Sequence, residues 1–300
     1  MNEELRLIVV SGLSGSGKSV ALNVLEDLGY YCIDNMPAAL IESVIEEVRS
    51  TSGTGEVRIA IGVDARNRQR DLDAMPELVR RLKSRNIQTD LLFLQADDEI
   101  LLKRYSETRR RHPLAVTGGP LQSAIDRERE LLGPVINAAD LILDTSRTSV
   151  YELAELLRSR VGSRKVAALS ILVESFGYKH GIPSDADFVF DMRCLPNPFW
   201  VPNLRYKNGL DPEVIEFLES QDKFRAMFTE IRDFMQRWIP EYVSFNRSYL
   251  TVAIGCTGGQ HRSVCMAERI AAALRENHAD VLTRHNELAT RGDTSGDRQD

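Results

Sequence analysis

A chain of 300 residues with 43% apolar and 27% charged residues can bury a sizeable core, and its length favours two domains over one. The net charge of −6 excludes coating of nucleic acid by overall charge, and Cys32, Cys194, Cys256 and Cys265 form no CxxC pair, against both a disulfide framework and a zinc site. No run of about 18 apolar residues and no secretory start over residues 1–10 is present, so no membrane association and a cytoplasmic location are expected.

Leu5–Val10 is an apolar run of strand length, and Val20, Leu22, Val24, Leu25 and Leu28 follow as a helical stripe that Gly29 is placed to stop. Between them Gly12, Leu13, Ser14, Gly15, Ser16, Gly17, Lys18 and Ser19 fit GxxxxGK[ST] in the strand-to-helix setting that a phosphate loop requires. Glycines let the amides turn inward and the helix start adds partial positive charge. Lys18 can reach the β- and γ-phosphates, and Ser19 can ligate Mg²⁺. A nucleoside triphosphate with Mg²⁺ is the expected ligand.

Further strands are expected at Tyr31–Ile33, Val57–Val63, Leu91–Leu94 and Leu141–Leu143, separated by helix-length segments, which predicts an α/β unit with a parallel sheet. Asp64 ends the third run and is the candidate to hold Mg²⁺ or position water, with capping of the next element as the rival role. Asp34 and Asp144 hold similar strand-end places. The basic segment from Lys103 to His112 either closes over phosphates or lines a solvated helix face.

The domains are expected over residues 1–160 and 165–290, divided near the basic stretch Arg158–Arg164, with a flexible tail over 291–300. Leu169–Val173, Phe188–Asp191 and Leu250–Ile254 read as strands, with a long helical pattern through roughly Pro212–Trp238. Trp200 and Trp238 read as core or interface aromatics. After Ile254 comes a second glycine loop, in which Cys256, Thr257, Gly258, Gly259, His261 and Arg262 lead into an amphipathic helix, so an oxyanion is expected there. The Cys256-to-Arg262 spacing also matches a cysteine-dependent phosphatase, for which no general acid can be named. His180, flanked by glycine-containing sequence, either faces the same loop or is a buried structural histidine.

The blocks GLSGSGKSVALNVLEDLGYYCIDNMP, VDARN, ESFGYKHGIP, LPNP and AIGCTGGQHRS together resemble the RapZ family of nucleotide-binding proteins over nearly the whole chain. The resemblance implies a P-loop NTPase domain of kinase-like fold, followed by a second α/β domain that senses a ligand. It implies slow hydrolysis of ATP or GTP, with nucleotide regions at Gly12–Ser19 and at Asp64, Ala65, Arg66 and Asn67. Lys18 and Asp64 are then the catalytic candidates, and Ser19 and Asp64 the Mg²⁺ ligands. For the second domain it implies a phosphorylated amino sugar held by His180, Thr257, Gly258, His261 and Arg262, with RNA, a ribonuclease and further copies of the chain as partners. Phe199 stands where the enterobacterial pattern has histidine, which weakens the expectation of that sugar phosphate, and the tail from Arg275 onward intersperses acids among Arg284, Arg291 and Arg298, which weakens the expectation of RNA binding. A nonenzymatic RNA adapter and a small-molecule kinase are the competing readings.

Overall fold

The computed structural model describes residues 5–51, 57–108, 111–115, 119–162, 169–245 and 247–288. The expected tail over 291–300 lies outside the described residues. Contacts divide the chain into two compact units, residues 1–163 and 164–300.

In the first unit β1 (Leu5–Gly12), β2 (Tyr31–Ile33), β3 (Val57–Gly62), β4 (Gln88–Gln95) and β5 (Leu141–Asp144) form one parallel sheet in the order β2-β3-β1-β4-β5. All of β1 is buried, as a central parallel strand covered on both faces must be, and this accounts for its nearly unbroken apolar run. The chain leaves β1 to build β2 and β3 on one side and β4 and β5 on the other. The loop after β1 therefore opens at the point where strand order reverses, where ligands of such sheets bind. Helix Lys18–Asp27 buries Ala21, Leu22, Val24 and Leu25. It stops as expected at Gly29, which has φ +83 and is followed by a Tyr30 N–H bond back to Leu25 C=O at 3.0 Å.

The second unit pairs β6 (Ser170–Gly177), β7 (Phe188–Asp191), β8 (Tyr249–Cys256) and β9 (Val281–His285), all parallel, in the order β7-β8-β6-β9. The edge strand β9 was not anticipated: Thr283, Arg284 and His285 give it no apolar run, and only Val281 is buried. The long helical pattern divides into Pro212–Glu219 and Asp222–Ser244, because Gln221 takes an extended conformation between them. Trp200 is 72% exposed and Trp238 42% exposed, so neither is a core residue of this unit. No helix among the described residues is long and apolar enough to cross a membrane.

Candidate functional site

The loop after β1 needs its glycines. Gly15 and Gly17 have φ of +90 and +107, and a Cβ on Gly12, at φ +144, would lie 2.1 Å from the carbonyl oxygen of Leu94 on β4. Leu13 anchors the loop instead of facing a ligand: its side chain is buried and its N–H donates to that same Leu94 oxygen at 3.0 Å. Ser14 through Ser19 line a cavity of about 660 Å³. Lys18 Nζ donates to Gly12 C=O at 2.6 Å. Burial lowers the pKa of its ammonium, against the opposing charges of Glu128, Asp64 and Asp34.

The same cavity takes in Asp34, Asp64, Arg66, Arg104 and Arg111. Arg66 grips Asp64 through Nε at 2.9 and 3.2 Å and through Nη2 at 2.5 Å, and its backbone N–H adds a bond at 2.9 Å. Burial pushes the Asp64 carboxyl up, but these bonds and the charges of Arg66 and Lys18 bring it below the ordinary aspartate value. Ala65 is buried, and Asn67 does not line the cavity. Asn67 joins two loops: its Nδ2 donates to Met36 and Asp64 carbonyls, each at 3.2 Å, and its Oδ1 accepts from Ala38 N–H at 2.7 Å. Asp144 accepts from Ser146 N–H and Oγ and is absent from the cavity lining.

The basic segment after Lys103 divides its roles. Arg104 donates from Nη1 to Gly15 C=O at 3.0 Å and from Nη2 to Thr145 C=O at 2.6 Å, binding the phosphate loop to the end of β5. Lys103 is exposed and His112 fully buried, while Arg109 and Arg110 lie outside the described residues. Glu128, in helix Leu121–Leu131, accepts from Ser14 N–H at 2.8 Å and Ser14 Oγ at 2.6 Å, and lies 3.1 Å from His112 Nε2. Burial would raise the Glu128 carboxyl, yet His112, Ser14 and Lys18 hold it below the usual glutamate value. Nothing local in the sequence marks Glu128, and His112 stands out only as the end of the basic segment; both reach the loop through the fold.

In the second unit the loop after β8 packs tightly against β6. A Cβ on Gly177 would lie 2.8 Å from the Gly258 backbone, and one on Gly259, at φ +72, 2.3 Å from Glu287 Oε2. The turn Tyr178–His180 is bonded to this loop, Lys179 N–H donating to Thr257 C=O at 3.2 Å. His180 is exposed there, which removes the buried structural role as an explanation for it. Cys256 is buried, with Gly259 N–H donating to its Sγ at 3.2 Å and Ser263 Oγ 3.2 Å away. Burial raises a thiol, but the Ser263 hydroxyl and the amides of Ser263, Gly259 and His261 leave Cys256 below its ordinary value. Arg262 is also buried. Its Nη1 donates to the Arg193 and Leu195 carbonyls at 3.1 and 3.0 Å, and Nη2 lies 3.4 Å from Thr257 Oγ1. It therefore ties the loop after β7 to the glycine loop, using much of the donor capacity that an anion would need. His261, at the helix start, is buried and its ring is shifted below the ordinary histidine value by burial.

The RapZ-like N-terminal domain family matches residues 5–165, and the RapZ C-terminal domain family residues 169–289. A "Nucleotide-binding protein" of Halorhodospira halophila is 53% identical, covering 95% of this chain and 99% of its own length. A nucleotide-binding protein of Methylococcus capsulatus is 50% identical, covering 95% and 96%. Among solved structures, a gluconokinase from Sinorhizobium meliloti aligns at 19% identity with a TM-score of 0.33, over 52% of this chain and 91% of that one.

Proposed function

This chain belongs to the RapZ family, and on that premise we propose that its first unit binds ATP or GTP with Mg²⁺, hydrolyses it slowly and couples it to a regulatory output, while its second unit senses a phosphorylated metabolite. The observation that carries the nucleotide reading is Lys18. Lys18 is half-buried at a glycine-turned helix N-terminus, inside a cavity flanked by Arg66 and Arg104. Phosphate oxygens would draw the ammonium away from the Gly12 carbonyl and complete its charge.

Mg²⁺ keeps most of its shell on phosphates and water and needs one or two protein oxygens. The Ser19 hydroxyl and the Asp64 carboxylate fit that need. Because both Asp64 oxygens already accept from Arg66, water is the natural link between Asp64 and the metal. The metal would neutralise charge on the phosphates, and the chain's own part is Lys18 countering the β- and γ-phosphates from the loop. Slow turnover fits a cavity whose bases, among the described residues, are carboxylates: Asp34 and Asp64 line it, and His112 is committed to Glu128. Titration calorimetry with Mg²⁺ and ATP should show binding that Lys18→Ala abolishes. Unchanged affinity in Lys18→Ala would sink the assignment.

The sensing role rests on the glycine loop after β8 standing at a helix N-terminus beside Thr257 and Arg262. Glucosamine-6-phosphate titrated into the full chain should bind, and Thr257→Ala should weaken it. Equal binding in both proteins would place the sensor elsewhere.

A further inference from the structure

The cavity at the phosphate loop extends to both sides of β1, and the two sides differ in chemistry. Toward β4 and β5 its wall includes Tyr105, Pro113, Thr148, Val150 and Leu153, the mix of apolar surface and hydroxyls that suits a base and ribose. Toward β3 and β2 it is Asp34, Asp64 and Arg66, a charged wall with no apolar surface, in which only the Arg66 guanidinium could stack on a base, and that group is engaged with Asp64. A nucleotide whose phosphates sit on the loop extends its base to one side only.

Resting on the nucleotide reading above, we infer that the β2–β3 side is a subsite for a phosphoryl acceptor, a small molecule that carries both a hydroxyl and an anionic group. Asp34 is exposed at the end of β2. Its Oδ1 accepts from Asn35 N–H at 2.7 Å, while its Oδ2 has no hydrogen-bond partner among the described residues, the charges of Lys18 and Arg66 being its electrostatic neighbours. Its place is built by neighbours: a Cβ on Gly62 would come 2.5 Å from Asp34 Oδ1, and Met36 N–H donates to Gly62 C=O at 2.8 Å. Asn67 then fastens this loop to the one that carries Asp64 and Arg66. Arg66 uses Nε and Nη2 on Asp64 and keeps Nη1 for an anion, its side chain 50% exposed against 8% for its partner.

In the transfer, the acceptor's hydroxyl oxygen bonds to the γ-phosphorus as the bond from that phosphorus to the β,γ-bridging oxygen breaks. The nucleoside diphosphate leaves with the electron pair, and the hydroxyl proton passes to Asp34 and on to solvent. Slow hydrolysis is the same step with water in the acceptor's place.

The test uses the full chain with Mg²⁺ and ATP labelled in the γ-phosphate, and two probes: D-glycerate as a hydroxy-carboxylate and glycerol 3-phosphate as a hydroxy-phosphate. Label should enter organic phosphate with at least one probe, and Asp34→Asn should slow that transfer about 10²-fold or more while calorimetry still shows ATP bound. Arg66→Lys should raise the KM for the probe more than it lowers kcat. Label released only as inorganic phosphate with both probes overturns the acceptor site and leaves nucleotide binding standing. Failure of the wild-type chain to bind ATP overturns both.

Discussion

Glu128 projects from the middle of a helix, yet its carboxylate is buried against Ser14 and His112, where it holds one end of the phosphate loop. Removing it would leave His112 and the Ser14 amide without their partner, so Glu128→Ala should cost about 3–5 kcal/mol, read as a fall in the urea midpoint of the first unit. Its pKa is lowered in the fold, so its stabilising contribution is present above the ordinary glutamate pKa and is lost as pH falls through the lower folded value. The denaturation midpoint followed downward from neutral pH should therefore drop less steeply in Glu128→Gln than in the wild type. Identical slopes would assign the acid loss to other carboxylates, of which Asp64 has the same sign. Lys18 and its glycines were legible because their chemistry lies within one turn of chain. Glu128 was not, because it meets Ser14 from 114 residues away.

The loops between elements carry as much of the two sites as the strands do. Asn67, a nucleotide-region candidate, links the loops that follow β2 and β3. Asn67→Ala should cost about 1–3 kcal/mol by leaving the Ala38 N–H unpaired, and hydrogen exchange at that amide should quicken while Lys18 stays in place. Retained protection at Ala38 would show that another acceptor takes over. Gly259 is constrained twice, by its positive φ and by the backbone N of Gly177, 2.8 Å from where its Cβ would sit, so Gly259→Ala should open the loop after β8 and remove the glucosamine-6-phosphate binding proposed for it, by calorimetry. Elements with strong apolar periods, such as β1, β3 and β8, were readable in advance. The polar edge strand β9 and the break at Gln221 were not, since pairing to β6 and a single extended residue leave no periodic trace.

Each unit has a hydrophobic core of its own, one around Val9, Ile59 and Phe93 and the other around Val173, Ile254 and Met266. Ligand binding stabilises only the structure that forms the site, by about 2.7 kcal/mol at a hundred times Kd. Thermal unfolding should accordingly show two transitions, of which ATP with Mg²⁺ raises one and glucosamine-6-phosphate the other. A single transition displaced by either ligand would mean that the units unfold as one cooperative body.

Two parallel α/β sheets, the phosphate loop at Gly12–Ser19 and the glycine loop at Cys256–Arg262 all follow from patterns a few residues long: an apolar strand, glycines free to turn, and a helix start that gathers positive charge. Other features depend on partners far apart in the chain. Folding brings Glu128 and His112 to Ser14, commits Arg262 to the carbonyls after β7, and ties the loops after β2 and β3 together through Asn67. Side-chain chemistry is written in residue type. Whether a given charge is spent on a neighbour or remains for a ligand is settled by which strands stand side by side, and strand order is a property of the folded sheet.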